Sequence, residues 1–461
     1  MAKIALRTTE QRLAAGKALR DKCSRAAHGK VIMGQGPKRD VVELIEASNK
    51  GRLENLVPVR HGRMLQSAFA FYRGTAAIQA YDLAGTPSSG IIVQACGDCH
   101  LMNFGGFATP ERTLAFDIND FDETLPAPFE WDLKRLAASF VVAARWRGLK
   151  DAQGREAAVQ AVSSYRESMR KRAGTHVLDA WYSQITMNDI LAIVGKDAEM
   201  IGRVKKKMSE AQKRTGEAVL HKITALSEGL PRFVDQPPLL YHVERSKLNE
   251  RGMAKFFAHY RDTLPEERRV LFDRYKLVDV AIKVVGVGSV GTRCYVGLFM
   301  AAPDDALLLQ VKEARPSVLE KFVKQRVSHN GQRVVVGQRL MQSASDIFLG
   351  WSKGAENRDF YVRQLRDMKI SADPENATPR VLRNYAAMCG LALARAHDKA
   401  GDAAMIAGYL GGTDRFDKAI GDYAIAYADQ AERDYQSFVK GVRAGRLKSD
   451  LSRSEIQSAL R

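Results

Sequence analysis

A glycine–aspartate loop followed by an acidic turn constrains this chain more than any other feature. Gly97-Asp98-Cys99-His100-Leu101-Met102-Asn103 sets an aspartate and an asparagine five positions apart on a loop. The apolar run Ile91-Ile92-Val93-Gln94-Ala95-Cys96 before it, launched from the turn Gly85-Thr86-Pro87-Ser88-Ser89-Gly90, reads as a short buried strand. Thr113-Leu114-Ala115-Phe116 reads as a second strand, ending at Asp117, and Asp120, Asp122 and Glu123 crowd behind it. Such a framework presents carboxylates from rigid supports. An Asp, an Asn and a second Asp are what phosphoryl transfer needs to orient a hydroxyl and hold Mg²⁺.

A second constraint lies nearly two hundred positions further on. Gly286-Val-Gly288-Ser-Val-Gly291 is flanked by strand-like segments, Val278 to Val287 before and Tyr295 to Met300 after. A dinucleotide-binding turn would open a helix after its third glycine, with an acid about twenty residues on. Here the following residues are strand-like, and a further strand, Ala306 to Lys312, ends in lysine. Strand, glycine loop, strand, turn, strand with a terminal lysine is the hairpin that covers nucleotide phosphates in kinase-like small lobes. Gly286, Gly288 and Gly291 would let backbone N–H groups approach phosphate, and Lys312 would reach it as a point charge. A carboxylate on the next helix, read at Ser317 to Val327, should hold the lysine; Glu320 is the better placed and Glu313 the second choice. The competing reading is a plain glycine-rich hairpin with a solvated lysine.

The rest of the chain reads mainly as helices. Residues 1 to about 50 are polar and helical, with a break at Gly36-Pro37, and His61 to Asp82 has apolar positions at helical spacing. Pro126-Ala127-Pro128 breaks the chain, a helix runs from Trp131 to about Trp146, and helices continue over 151–230. Leu239 to Val243, Val334 to Val336 and Arg339 to Met341 read as strands. From Asp359 onward the chain reads as helical, most clearly from Tyr385 to His397. Asp132 should cap its helix, His397 should be a buried, hydrogen-bonded histidine, and His100 should brace loop carbonyls. Arg60, His61 and Arg73 could meet phosphate or pair with the acidic cluster. One of Asp120, Asp122 and Glu123 should cap a turn or pair with Arg135, while the others could add metal ligands.

Charge and cysteines narrow the class. The 71 basic against 53 acidic residues leave +18, crowded in the first forty positions and again around Arg203 to Arg214. Such an excess attracts phosphates and nucleotides, and leaves a nucleic-acid partner open without specifying one. No run of eighteen apolar residues occurs, so no membrane span is expected; the first residues lack an apolar signal core, and a cytoplasmic location follows. Five sparse cysteines do not make a disulfide framework. Cys96-Gly97-Asp98-Cys99 is a C-x-x-C, yet a redox site wants a small βαβ setting and a zinc site wants a second Cys/His pair nearby.

Two resemblances rest on these residues. Gly97-Asp98-x-His100-x-x-Asn103 followed by Phe116-Asp117 resembles the catalytic and metal loops of aminoglycoside phosphotransferases and related kinase-like enzymes. Arg73-Gly74, the Asp98 loop, Asn119 to Glu123 and Trp131-Asp132-Leu133-Lys134-Arg135-Leu136-Ala137 look like a bacterial family called domain of unknown function 2252, from about residue 50 to 440. The kinase-like resemblance implies Asp98 as the catalytic aspartate, Asn103 and Asp117 as Mg²⁺ ligands, and Gly286, Gly288, Gly291, Lys312 and Glu320 as the ATP-binding set. It implies an α+β, protein-kinase-like two-lobed fold, circularly permuted because the glycine loop follows the catalytic loop. The segments would be a basic helical one over 1–50, the catalytic-loop part of a large helical lobe over 51–235, a small antiparallel β lobe over 236–345, and a helical segment over 346–461. The expected activity is an ATP- and Mg²⁺-dependent phosphotransferase acting on an unidentified hydroxyl. A nucleotidyl (AMP) transferase, a metal-dependent phosphoesterase and a nucleotide-binding pseudokinase are the alternatives.

Overall fold

A computed structural model describes residues 6–32, 39–195, 198–213, 220, 222–227, 229–237, 239–242, 250–284, 286, 288–365 and 370–451. Val243, Val285, Val287 and Arg214, to which the readings above extend, lie outside them. The chain is a mixed α+β structure with small antiparallel sheets. Among the described residues no helix is long and apolar enough to cross a membrane.

The N-terminal part is helical: α1 (Thr9–Ala18), α2 (Val41–Asn49), α3 (Val57–Leu65), α4 (Ala68–Gly74) and α5 (Ala76–Leu83). Three of its arginines serve packing. Arg20 and Arg25 donate to the carbonyls of Tyr409 and Leu410, and Arg39 bridges the carboxylates of Asp82 and Asp434. Next, β1 (Ile92–Ala95) pairs with β4 (Leu125–Pro128), and β2 (Phe104–Ala108) and β3 (Leu114–Ile118) form a hairpin between them. The expected break at Pro126-Ala127-Pro128 is therefore strand β4. A two-stranded ribbon leaves one edge of each strand unpaired, which tolerates residues lacking an N–H.

Helix α6 (Phe129–Trp146) is buried at every position from Phe129 to Ala144. A helix buried around its whole girth is a core helix. Packed around it are α7 (Asp151–Arg172) and, later in the chain, α14 (Pro379–Lys399), α15 (Ala403–Leu410) and α16 (Arg415–Arg443). Helices α7 and α14 approach so closely that a Cβ on Gly390 would strike the Ala161 carbonyl. After α7 come α8 (Val177–Tyr182), α9 (Met187–Val194), α10 (Ala198–Gln212) and a hairpin of β5 (Thr224–Ser227) and β6 (Leu230–Phe233).

The largest sheet comprises β7 (Leu240–Tyr241), β8 (Lys276–Lys283), β9 (Cys294–Ala302), β10 (Asp305–Glu313), β11 (Gly350–Lys353) and β12 (Asp359–Gln364), in the order β11-β12-β10-β9-β8-β7, all antiparallel. Two helices, α11 (Glu250–Asp262) and α12 (Glu266–Phe272), precede β8, and α13 (Asn330–Met341) lies between β10 and β11. Aromatics from α11 and α12 join Phe299, Phe348 and Phe360 in a core of the sheet's own. The sheet runs beyond residue 345, to which the β-rich segment was expected to extend. Residues 317–327, expected to be a helix, form turns, and the expected strands at 334–336 and 339–341 are helix α13. His329 caps α13 by accepting from the Gln332 N–H, and burial of Val334 and Val335 outweighs the low helix propensity of a β-branched run. Finally β13 (Ile370–Ser371) pairs with β2, tying the chain that leaves the sheet to the hairpin behind Asp98.

Candidate functional site

The Asp98 loop is held from below by the start of α6. Asp132, in the first turn of that helix, accepts the N–H groups of Cys96 (2.6 Å) and Gly97 (3.0 Å). His397 near the end of α14 donates to the same carboxylate at 3.1 Å, its other ring nitrogen meeting the Tyr165 hydroxyl at 2.9 Å. Gly97 turns the chain with φ of 85°, and a Cβ there would strike the Glu123 carbonyl. Within the loop, His100 accepts from the Met102 N–H, and the Asn103 amide nitrogen donates to the Asp98 carbonyl at 2.8 Å. Among the described residues nothing donates to the Asn103 amide oxygen. Burial holds His100 neutral, its pKa well below the usual range.

Asp98 itself is one-fifth exposed. Arg135 donates to its Oδ1 from Nε (2.9 Å), with Nη2 2.8 Å from the same oxygen. Burial raises the Asp98 carboxyl against the pull of Arg135. Arg135 thus pairs with Asp98 and not with the acidic turn.

Asp117 is a correction. Strand β3 ends at Ile118, so Asp117 points into the core, with no exposure. One guanidinium nitrogen of Arg395 lies 2.8 Å from each of its oxygens, the Ile118 N–H donates to Oδ1 and the Ser343 N–H to Oδ2. These four contacts, made by three donor groups, fill the acceptor capacity of a carboxylate and leave Asp117 without a free site for a metal.

The remaining carboxylates lie on the turn beyond the strand end. Asp120 accepts one backbone N–H, from Asp122 at 3.1 Å. Burial raises its carboxyl, with Asp122 adding to the effect. Asp122 is the meeting point of distant segments. The Lys312 ammonium is ion-paired to its Oδ2, the Ser289 hydroxyl donates to that oxygen at 3.3 Å, and the Tyr361 hydroxyl donates to Oδ1 at 2.7 Å. Lys312 and Tyr361 are register partners on β10 and β12, so one cross-strand pair aims two donors at one carboxylate. Burial alone would raise the Asp122 carboxyl; Lys312 and Tyr361 outweigh it and hold it low. Glu123 accepts from the Val318 N–H, and burial pushes its carboxyl to about 7. Arg333 of α13 donates to the carbonyls of Asp122 and Thr124, fastening the turn to the sheet's helix.

The expected partner of Lys312 is a second correction. Glu320 lies on a turn with Oε2 buried and unpartnered, and Glu313 pairs with Arg293 and Arg358. The lysine takes its counter-charge from Asp122, on the turn that follows β3. The glycine loop itself reaches the acidic turn. Gly286 and Gly291 adopt positive φ (66° and 85°), Gly288 lies against the Arg73 carbonyl, and Ser289 touches Asp122. Helical segments of the N-terminal part pin the loop: Arg63 donates to the Gly286 carbonyl, Arg52 to that of Val290, and the Leu53 N–H to that of Gly291.

Arg60 and His61 serve structure, bonded to Asn49 and to the carbonyls of Gly74 and Lys448. The five cysteines are free and buried. Among the described residues no group of three or more His, Cys, Asp or Glu is placed to hold a metal. An apolar cavity of about 390 Å³, walled by Leu101, Phe116, Met187, Ile370 and Met388 among others, backs onto the loop but touches neither Asp98 nor the acidic turn.

No curated protein and no solved structure matches the chain. The model of one family, described as an uncharacterized protein conserved in bacteria (DUF2252), matches residues 52–441, which include the Asp98 loop, the acidic turn, the glycine loop and Lys312. The chain belongs to that family.

Proposed function

We propose that this protein is an ATP- and Mg²⁺-dependent phosphotransferase with a kinase-like, circularly permuted fold, acting on a hydroxyl acceptor. The observation that carries the reading is the convergence on Asp122 of Lys312 and Ser289, 190 and 167 positions away. A glycine loop between two paired strands, a lysine on the next strand and a helix before the one after it is the arrangement kinases use over a triphosphate; here these are the β8–β9 turn, β10 and α13. The permutation is supported by His397, which ends its helix beside the Asp132 that anchors the Asp98 loop. The parallel is one of architecture, and its weight comes from the site residues.

Mg²⁺ would be held by Asp120 and Asn103, whose uncommitted oxygens are the donor type it takes; it commonly binds one or two protein groups, with phosphates and waters completing the shell. This matches a site without three converging protein ligands, whereas a two-metal phosphoesterase would need more. In the reaction the acceptor oxygen bonds to the γ-phosphorus and the bond to the bridging oxygen breaks. ADP leaves with that electron pair, and the hydroxyl proton passes to Asp98.

Asp98→Asn is expected to lower ADP release from ATP at least about a hundredfold while nucleotide affinity stays within about threefold. Unchanged turnover in that variant would remove Asp98 from the reaction. A nucleotide-binding protein without turnover is the second reading, favoured by the Arg135 pair that already neutralises Asp98. ATP bound by the wild type with neither ADP nor AMP formed would select it.

A further inference from the structure

Most cations around the acidic turn and the Asp98 loop are already committed. Lys312 is neutralised by Asp122 and Arg135 by Asp98. Arg363 donates to the Gln310 side chain and the Asn119 carbonyl. The Asp98 loop brings no cation of its own, since its histidine is neutral. One guanidinium stands apart. Arg73, half-buried at the end of α4, forms no hydrogen bond or ion pair among the described residues, and its Nε is buried without a partner. An unpaired guanidinium withdrawn from water is costly unless something anionic completes it.

Its position says where that anion sits. The Arg73 backbone lies against Gly288 of the glycine loop. Asp98 is the charged neighbour that most affects its side chain, and the Phe69 ring lies 5.8 Å from it. Arg73 therefore stands between the loop that would cover the phosphates and the aspartate that would face the acceptor. The surroundings are positive as well. Among the described residues Arg52, Arg60, Arg63 and Arg315 pair with no carboxylate and are bound instead to carbonyl and amide oxygens. With no carboxylate paired to them, their charge adds to a field that favours an anion beside the glycine loop.

We propose that Arg73 is the anchor for the terminal phosphate of the nucleotide, its guanidinium binding that group between Gly288 and Asp98. The inference rests on the phosphotransferase reading and deepens it, naming a residue that touches the transferred group. A guanidinium suits the role because its fixed fork of donors matches a phosphate's oxygens.

The test is calorimetric titration of the full chain with Mg²⁺ and either a nonhydrolysable ATP analogue or ADP, in the wild type, Arg73→Ala and Arg73→Lys. The wild type should bind the ATP analogue more tightly than ADP. Arg73→Ala should weaken the analogue by about tenfold to a hundredfold, the range of a lost charged hydrogen bond, and leave ADP within about twofold. Arg73→Lys should keep part of the preference, since the charge remains. The comparison is made within each protein, so a general loss of folding would lower both affinities and could not mimic a selective loss. Equal weakening of both ligands, or none, would overturn the role of Arg73 while leaving the phosphotransferase reading in place. A wild type that binds neither nucleotide would overturn that reading, and the inference with it.

Discussion

Asp117→Ala is expected to destabilise the fold by about 3–5 kcal/mol, the cost of removing one partner from a buried ion pair. Arg395 has no exposure, and its Nε and Nη1 are buried without hydrogen-bond partners. Removing Asp117 would leave that guanidinium with the Met341 carbonyl and no counter-charge from the carboxylate. It would also orphan the N–H groups of Ile118 and Ser343. The measurement is the denaturant midpoint of the full chain, with Asp117→Leu/Arg395→Met as companion. Replacing both charges by apolar groups should recover part of the loss, because no charge is then stranded. A stable Asp117→Ala protein that loses only its metal dependence would return Asp117 to the metal site.

Asp120→Ala should behave in the opposite way. Its side chain accepts a single backbone N–H, so the fold should lose no more than about 1–2 kcal/mol. Removal also relieves Asp122 of a like-charged neighbour, which offsets some of that cost. The Mg²⁺-dependent part of nucleotide affinity should fall at least about a hundredfold, since a carboxylate ligand to a hard cation has no neutral substitute in the site. Titrations with and without Mg²⁺ separate this loss from general damage. Retained Mg²⁺ dependence would remove Asp120 from the metal site.

These two aspartates mark where the sequence was readable and where it was not. The loop Gly97 to Asn103 and the strands around the glycine loop are local patterns, and a chain of short apolar runs with turn residues between them declares them. Which carboxylate stays in the core and which lie beyond the strand end is not local. It turns on strand β3 running to Ile118, one residue past the expected end at Asp117, which keeps Asp117 in the core and hands the turn to Asp120 and Asp122. The alternation Asp-x-x-Asp-x-Asp beyond the apolar run was the available signal, since residues past a strand end are freer to face solvent than those within it. The partner of Lys312 could not be read from spacing either, because Asp122 lies 190 positions away.

Similar reasons hid several elements. Val334 to Val336 looks like a strand by composition, yet packing of Val334 and Val335 makes it helix α13. Strand β4 was concealed by its own prolines, which an unpaired edge tolerates. Strands β11 and β12 are short, rimmed by charges such as Lys353 and Asp359, and gain their identity from pairing with each other and with β10. By contrast, Tyr385 to His397 was legible because small and apolar side chains recur at helical spacing along a face that stays buried against α7.

The glycine loop with Lys312, the Asp98 loop and the acidic turn should close on one triphosphate. Amide hydrogen exchange with and without Mg²⁺ and a nonhydrolysable ATP analogue measures this directly. The account predicts slower exchange at 288–294, at 97–104 and at 119–124 together, in the same complex and with the same ligand dependence. Protection confined to one of these stretches, or absent from all of them at saturating ligand, would contradict it.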